Sequence, residues 1–217
     1  WGFTGIASLS EVRFFYVPVQ AFGPDPADDA SGVDINAALN WRPGREATSH
    51  QVYFGIDPNA LTDKTVTGHS YTPPAMDLET VYYWKVDEVG DAGTYAGDVW
   101  SFTTQEFLVV DDFESYTDDM DAKEAVFQTW IDGYEDDTNG SIVGIDTAVN
   151  GTFCETTIVH GGRQSMPFFY DNSGQAVYAE ATWTFDDARD WTTNGIRSLS
   201  LYFSGVAGNT GQLYVKI

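Results

Sequence analysis

The chain has 217 residues, of which 42% are hydrophobic and 15% aromatic, enough to fill the core of one large or two ordinary domains. This composition excludes a disordered chain. Thirty-three acidic residues oppose ten basic ones, and the resulting net charge of −23 disfavours binding to nucleic acid or to anionic membrane surfaces. Such a surface is typical of a secreted protein or of one that collects divalent cations, and solubility alone explains it equally well.

Aromatic and β-branched residues favour strands over helices along the whole sequence. The chain contains seven Trp, twelve Tyr and fourteen Phe, and its 21 glycines supply many turns. We therefore predict an all-β protein. The single cysteine, Cys154, excludes an intrachain disulfide, and its place in an alternating run predicts a small core residue rather than a reactive thiol. There is no apolar run of about 18 residues, so membrane insertion is not expected.

Both ends of the sequence have the pattern of strands. Glu11–Gln20 is rich in Phe, Tyr and Val and has the pattern of a strand, and Leu9–Pro18 resembles the exit strand of a discoidin or concanavalin-like domain. Residues 1–18 are therefore interpreted as the terminal strand of an upstream domain. At the other end, Gly211–Ile217 alternates apolar and polar residues, and no turn or partner follows. We expect a stretch of a longer modular protein with an unpaired strand at each end.

Residues 19–105 show the rhythm of a small β-sandwich, in which Pro and Gly clusters separate short strands predicted at 34–41, 50–56, 81–89 and 98–104. Leu78–Val86 resembles the loop and sixth strand of a fibronectin type III domain, and Trp100–Thr104 resembles the exit strand of that family. The resemblance implies that Tyr82 is the corner tyrosine, whose hydroxyl bonds to the backbone upstream. It also implies that the core contains Trp41, Tyr82, Trp84 and Trp100.

Residues 106–217 form a second predicted unit with one short helix near 121–130. Strands are predicted at 107–110, 156–159, 165–170, 178–185, 198–203 and 212–216. The runs Val110–Tyr116, His160–Tyr170 and Leu199–Phe203 resemble the galactose-binding-like jelly rolls that serve as carbohydrate-binding modules. Members of that family usually end in a further Asp-rich strand, which this sequence lacks. The resemblance therefore implies an incomplete jelly roll.

The second unit also contains a candidate calcium site. Thirteen acidic residues and one basic residue lie between Glu106 and Asp146. Asp112 and Glu114, two apart on a predicted strand, would face the same side and share a structural calcium, or they would form an exposed acidic edge that discourages strand pairing. Glu135–Asp146 can be laid on a twelve-residue calcium loop, but a solvated turn at Asn139–Gly140 fits its residues better.

Sugar binding needs exposed aromatic faces together with polar groups for the hydroxyls. Four aromatic residues and one amide near predicted loops meet this need, each with core packing as the alternative: Trp130, Tyr134, Tyr170, Trp191 and Asn172. Strand alternation predicts instead that Trp183 and Phe185 are buried while Thr182 and Thr184 face water. The three histidines have no metal-ligand spacing, and no nucleophile elbow or phosphate loop occurs, so catalysis is not expected.

Two functions follow from these patterns. The first is a non-catalytic module pair of a secreted or cell-surface protein, which binds a polysaccharide or cell-surface glycan or mediates adhesion. The second is a filament subunit, in which Arg13–Val19 of one copy fills the open edge left after Lys216 of the next. The two functions are compatible.

Overall fold

The computed structural model describes residues 10–209 and 211–217. The chain divides into two compact units, which we describe separately. The first unit extends to Leu108 and includes Thr192–Ile196. The second comprises Val109–Trp191 and Arg197–Ile217.

The predicted all-β class is confirmed, because strands far outnumber helical residues in the described part of the chain. The strands of the first unit are β1 (Phe22–Asp25), β2 (Ala30–Val33), β3 (Leu39–Arg42), β4 (Ala47–Gly55), β5 (Thr62–Val66), β6 (Ser70–Tyr71), β7 (Val81–Gly90), β8 (Gly93–Tyr95) and β9 (Trp100–Thr104). The second unit contains α1 (Val126–Thr129), β10 (Ser141–Val143), α2 (Thr147–Asn150) and β11 (Phe168–Tyr170).

The first unit is a sandwich of two sheets. One sheet has the order β1-β3-β6, and the other has the order β2-β9-β7-β4-β5, with β8 paired to β7. All these pairs are antiparallel except β2–β9. Successive side chains of a strand point to opposite faces, so one alternating set from each sheet is buried between them. That set includes Leu39 and Trp41 from β3, Val52 and Phe54 from β4, Trp84 and Val86 from β7, and Phe102 from β9.

The core positions implied by the fibronectin resemblance are confirmed: Trp41, Tyr82, Trp84 and Trp100 are all buried. The hydroxyl of Tyr82 accepts a hydrogen bond of 3.0 Å from the backbone N–H of Asp77, as expected of a corner tyrosine. Its ring stacks on Phe54, with the ring centroids 5.0 Å apart. Tyr82 therefore joins the start of β7 to the loop before it.

Residues 10–18 belong to no sheet within the described part of the chain, and the strand of an upstream domain predicted over residues 1–18 stays a prediction. The segment Val12–Val17, which we call the apolar arm, is exposed, and the side chain of Phe14 is 97% exposed. A strand requires a hydrogen-bonded neighbour, and the arm has none within the described residues. Residues 1–9 of the proposed upstream strand lie outside the described part of the chain.

The second unit has much less sheet than the jelly-roll resemblance implies. β10 and β11 form an antiparallel pair, and the remaining ladder contacts are the isolated bridges Ile131–Thr182, Asn139–Tyr178 and Glu155–Ser165. The helix predicted near 121–130 is confirmed as the single turn α1. Part of the strand predicted over 165–170 is present as β11. The strands predicted at 107–110, 156–159, 178–185, 198–203 and 212–216 are wrong, since these segments lack continuous partners among the described residues.

A small core nevertheless holds the second unit together. Val126 of α1, Val143 of β10 and Cys154 are buried, and partly buried aromatic rings pack around them. The prediction that Cys154 is a core residue is confirmed. Burial, and then the nearby carboxylates of Asp118, Asp111 and Glu114, raise the pKa of its thiol to about 11.

Neither short helix in the described part of the chain is long or apolar enough to cross a membrane.

Candidate functional site

An open groove in the second unit lies between two segments, residues 133–142 and residues 171–176. β10 and β11 align these segments, because Ser141 is paired with Tyr170. Beyond the strand pair, the backbone N–H of Asp171 donates to the carbonyl of Gly140 at 2.8 Å, and the N–H of Gly133 donates to the carbonyl of Ser141 at 3.0 Å. The groove walls are therefore held by backbone hydrogen bonds on both sides.

The sequence Asn139–Gly140–Ser141 explains why the first segment turns here. The side-chain oxygen of Asn139 accepts from the N–H of Glu180 at 2.9 Å and from the hydroxyl of Ser141 at 3.0 Å, while its amide donates to the carbonyl of Glu180 at 3.0 Å. A Cβ on Gly140 would lie 2.1 Å from the carbonyl oxygen of Asp171, so only glycine fits beside the backbone of Asp171.

These contacts bear on the calcium-loop alternative for Glu135–Asp146. The Asn139 side chain is engaged with Glu180, and the carboxylate of Asp146 accepts the N–H of Ala148 at 2.8 Å as the N-cap of α2. Two of the side chains that a calcium loop would require therefore serve the local fold, which supports a turn at this position.

Three of the five residues predicted to contact sugar adjoin the lining residues of this groove without lining it themselves. Tyr134 directly follows the groove residue Gly133, and its side chain is 81% exposed. Tyr170 is half exposed at the end of β11, opposite Ser141. Asn172 is exposed between the groove residues Asp171 and Ser173. The β10–β11 pair thus places Ser141–Val143 beside Phe168–Tyr170, two segments that are far apart in sequence.

The groove also presents ionised carboxylates. The hydroxyl and the backbone N–H of Thr138 hydrogen-bond to Asp136, and they hold the pKa of its carboxyl below the ordinary value. The hydroxyl and N–H of Ser173 do the same for Asp171. Both groups accept hydrogen bonds at neutral pH. A glycosidase needs one carboxyl with a raised pKa as general acid, whereas the pKa values of Asp136 and Asp171 are both lowered.

The other two predicted residues, Trp130 and Trp191, lie away from the groove and are partly buried. The indole N–H of Trp130 donates to Asp111 at 2.7 Å, and its ring packs against Phe113 and Trp183. Trp191 packs against Phe185 with the ring centroids 5.8 Å apart. For Trp130 these contacts match the core-packing alternative, since both its polar and its apolar parts have partners.

Asp111 was not identified from the sequence, although it organises this region. It accepts hydrogen bonds from the hydroxyl of Tyr116 at 2.6 Å, from the indole of Trp130 and from the N–H of Phe113 at 2.8 Å. Burial, and then the bond to Asp111, raise the pKa of Tyr116 well above the usual range. The only sequence signal was an acidic residue directly after the apolar run 107–110.

Trp183 and Phe185 form a second aromatic contact, with their ring centroids 4.4 Å apart. Both rings are only partly buried while Thr182 and Thr184 are exposed, so the exposure alternates as predicted, but the burial predicted for the two rings is incomplete. The guanidinium of Arg189 lies 4.2 Å from the centroid of Phe185, within the range of a cation–π contact.

Asp112 and Glu114 do not lie on a strand, so the geometric premise of the predicted calcium site is wrong. Glu114 accepts the backbone N–H groups of Arg163 and Gln164 at 2.7 and 3.0 Å and the side chain of Arg163 at 3.1 Å, and these bonds lower its pKa. Asp112 accepts the N–H of Glu114. These bonds do not fit a shared cation. Within the part of the chain that the structure describes, no cluster of three His, Cys, Asp or Glu residues is placed to hold a metal.

No family model and no curated protein matches this chain. The resemblances to fibronectin type III domains and to jelly-roll modules therefore depend on the motifs in the sequence. The function has to be argued from the residues of the groove and of the exposed segments.

Proposed function

We propose that the chain is a non-catalytic module pair of a secreted or cell-surface protein, and that its second unit binds a glycan in the groove between residues 133–142 and 171–176. One observation carries the proposal. Tyr134 and Asn172, predicted from the sequence to contact sugar, adjoin in sequence residues that line a single groove rich in hydrogen-bond acceptors, and Tyr170 is paired with the lining residue Ser141.

The chemistry of the groove suits a neutral sugar. Exposed tyrosine rings offer faces for the apolar sides of sugar rings, and their hydroxyls offer hydrogen bonds. The ionised carboxylates of Asp136 and Asp171 accept hydrogen bonds from sugar hydroxyls, and Asn172 can both donate and accept. A polyanionic glycan would be repelled by these carboxylates and by the net charge of −23. The proposal therefore names neutral polysaccharides as the ligand class.

The first unit serves as a spacer under this proposal. Its sheet orders, with β1-β3-β6 facing β9-β7-β4-β5, and the hydrogen bond of the corner tyrosine support the fibronectin type III resemblance. The buried side chains of this unit form one continuous core between its two sheets. Such a core suits a unit that holds a binding module at a distance.

Calorimetric titration with soluble neutral polysaccharides tests the proposal. Tyr134→Ala and Tyr170→Ala should each weaken binding about tenfold, the loss expected for one aromatic stacking contact. Tyr16→Ala is the matched control, because Tyr16 lies in the apolar arm and is 80% exposed, against 81% for Tyr134. Absence of binding to every neutral polysaccharide, or an equal loss in the control variant, would contradict the proposal.

The second proposal, a filament formed by strand complementation, is supported by the distribution of exposed apolar side chains. The apolar arm is exposed along its length. Near the other end, large apolar residues are also exposed at Leu199, Leu201, Phe203, Leu213, Val215 and Ile217. Insertion of the arm of one copy beside these segments in the next copy would bury both sets and would generate an open, head-to-tail array.

Electron microscopy of the purified protein tests this second proposal. Filaments with a regular repeat are expected, and Phe14→Asp should abolish them because a charge would enter the buried contact. Monodisperse particles at all protein concentrations would refute the filament while leaving the glycan proposal intact.

A further inference from the structure

A third segment of the second unit runs along one wall of the groove. Residues 177–180 follow the wall formed by residues 133–142, since Tyr178 makes an isolated parallel bridge with Asn139. The backbone N–H of Gly140 donates to the carbonyl of Tyr178 at 2.7 Å. Asn139 and Gly140 line the groove, so residues 177–180 lie directly beside it.

Tyr178 adds an aromatic ring at this wall. Its hydroxyl donates to Oδ2 of Asp136 at 3.3 Å, and Asp136 lines the groove. Tyr178 is partly exposed. Because a tyrosine combines a flat apolar ring with a polar tip, Tyr178 offers the same chemistry for contact with a sugar as Tyr134 and Tyr170 do.

Glu180 connects the same wall to the C-terminal segment. Its carbonyl accepts the hydroxyl of Ser141 at 2.6 Å, and its carboxylate accepts hydrogen bonds from the hydroxyl of Tyr214 and the ammonium group of Lys216. The bonds from Lys216 and Tyr214 lower the pKa of Glu180, so at neutral pH its carboxylate is charged and pairs with Lys216. Tyr214 is therefore attached to the groove wall two residues beyond Tyr178.

A second contact ties the C-terminal segment to Tyr170. The side-chain amide of Asn209 donates to the hydroxyl of Tyr170, and the backbone N–H of Gly211 donates to Oδ1 of Asn209 at 3.0 Å. Tyr170 is paired with the groove residue Ser141, whose hydroxyl bonds to Glu180. The C-terminal segment is thus held at Tyr170 and at Glu180, which are both partners of one residue of the groove.

The ring of Tyr214 is available to a ligand. Tyr214 is 46% exposed, and Nζ of Lys216 lies over its ring, 5.2 Å from the centroid. The contact with Lys216 and the hydrogen bond to Glu180 fix the orientation of the ring. Its exposed part can therefore stack on a sugar without a large loss of side-chain freedom.

We propose that the glycan site extends from the groove onto Tyr178 and Tyr214, and that it binds an extended chain of a neutral polysaccharide rather than a mono- or disaccharide. The inference rests on the proposed glycan binding and specifies the length of the ligand. Rings outside the groove contact a ligand only when further sugar residues continue beyond it, and each ring can stack on one of them. The charges support a neutral chain, because Lys216 is already paired with Glu180 and the groove carboxylates stay ionised.

Calorimetric titration of the whole chain with the disaccharides and hexasaccharides of cellulose, mannan, xylan and galactan tests the extension. The wild type should bind a hexasaccharide at least about tenfold more tightly than the disaccharide of the same sugar. Tyr178→Ala and Tyr214→Ala should each weaken hexasaccharide binding about tenfold more than disaccharide binding. Tyr214→Phe keeps the ring and should retain most of the affinity for the hexasaccharide.

Tyr202→Ala is the matched control. Tyr202 is 68% exposed in the same unit, but its ring stacks on His160, which is not among the residues that line the groove. This variant should bind both lengths of ligand as the wild type does.

The outcomes separate the extension from the glycan proposal. Equal affinity of the wild type for the two lengths, or equal losses for the two lengths in Tyr214→Ala, would refute the extension while leaving the groove as the glycan site. Absence of binding to every hexasaccharide would refute glycan binding itself, and the extension with it. If a variant does not fold, NMR spectra of the wild type decide: the hexasaccharide should shift the ring signals of Tyr178 and Tyr214, and unshifted signals refute the extension.

Discussion

Replacement of Asp111 by asparagine tests how the second unit is held together. The carboxylate of Asp111 accepts three hydrogen bonds, two of them at Oδ2, from the hydroxyl of Tyr116 and the indole N–H of Trp130. Asparagine offers one oxygen and one NH₂ group in place of the two carboxylate oxygens. With its NH₂ at the Oδ2 position, the Tyr116 hydroxyl can rotate to accept, but the Trp130 indole can only donate and loses its acceptor. With its oxygen at that position, the NH₂ faces the N–H of Phe113, which loses its acceptor instead. Asp111→Asn therefore leaves a partly buried donor without an acceptor.

The cost follows from the bonds that are lost. A hydrogen bond to a charged group contributes about 1.5–3 kcal/mol, and an unpaired buried donor costs about 1–3 kcal/mol. We expect Asp111→Asn to lower the free energy of unfolding of the second unit by about 2–3 kcal/mol. With a urea dependence of about 2 kcal/mol/M, the unfolding midpoint should fall by about 1 M.

Thiol labelling isolates the second unit in this experiment. Cys154 is the single cysteine, and it is buried in the core of that unit. Because burial raises its pKa to about 11, the folded thiol is protonated and unreactive at about pH 8, whereas an unfolded thiol with its ordinary pKa of about 8.5 reacts. The urea concentration at which labelling begins therefore reports unfolding of the second unit, whatever the first unit does.

Asp112→Asn is the control for Asp111→Asn. Asp112 is exposed and accepts only the N–H of Glu114, a bond that asparagine can also make. The urea midpoint of Cys154 labelling in Asp112→Asn should match that of the wild type. Equal midpoints for the two variants would refute the argument that the Asp111 carboxylate is the anchor of Trp130 and Tyr116.

Two further predictions concern stability. Tyr82→Phe removes the acceptor of the Asp77 N–H while keeping the ring on Phe54, and it should destabilise the first unit by about 1–2 kcal/mol in urea unfolding. The control is Tyr71→Phe, which should have a much smaller effect because the Tyr71 hydroxyl makes no hydrogen bond within the described residues. Equal losses of stability in the two variants would contradict the role of Tyr82 as a corner tyrosine. Because Glu114 already accepts three hydrogen bonds, the melting temperature should be the same in calcium and in EDTA; a rise in calcium that Asp112→Asn abolishes would instead restore the calcium site predicted from the sequence.

The core of the first unit could be predicted because its central strands alternate without interruption. In β7, Tyr82, Trp84 and Val86 all face the opposite sheet, and the period of two leaves no choice of face. The short outer strands could not be predicted in this way. In β5 (Thr62–Val66) the side chains are exposed nearly throughout, so no alternation marks an edge strand whose position depends on pairing with β4.

The internal positions of two acidic residues could not be predicted from the sequence. Glu88 and Asp111 each adjoin another acidic residue, Asp87 and Asp112, and such acidic pairs ordinarily mark the solvent face. What makes them internal is a partner far along the chain, His50 for Glu88 and Trp130 for Asp111. Pattern within a segment carries no information about such partners, so both the buried His50–Glu88 pair and the contacts of Asp111 could be recognised only once the strands and loops were placed.

In the second unit, a segment with a clear alternating pattern does not form a strand. Residues 198–203 alternate well, and a period of two predicts a strand with Leu199, Leu201 and Phe203 on one face. Yet these three side chains are all more than half exposed, as is Tyr202, because the segment has no hydrogen-bonded neighbour among the described residues. Alternation specifies which side chains a strand would bury, whereas the strand itself depends on a second backbone. The filament proposal depends on the same reasoning, since it assigns that second backbone to another copy of the chain.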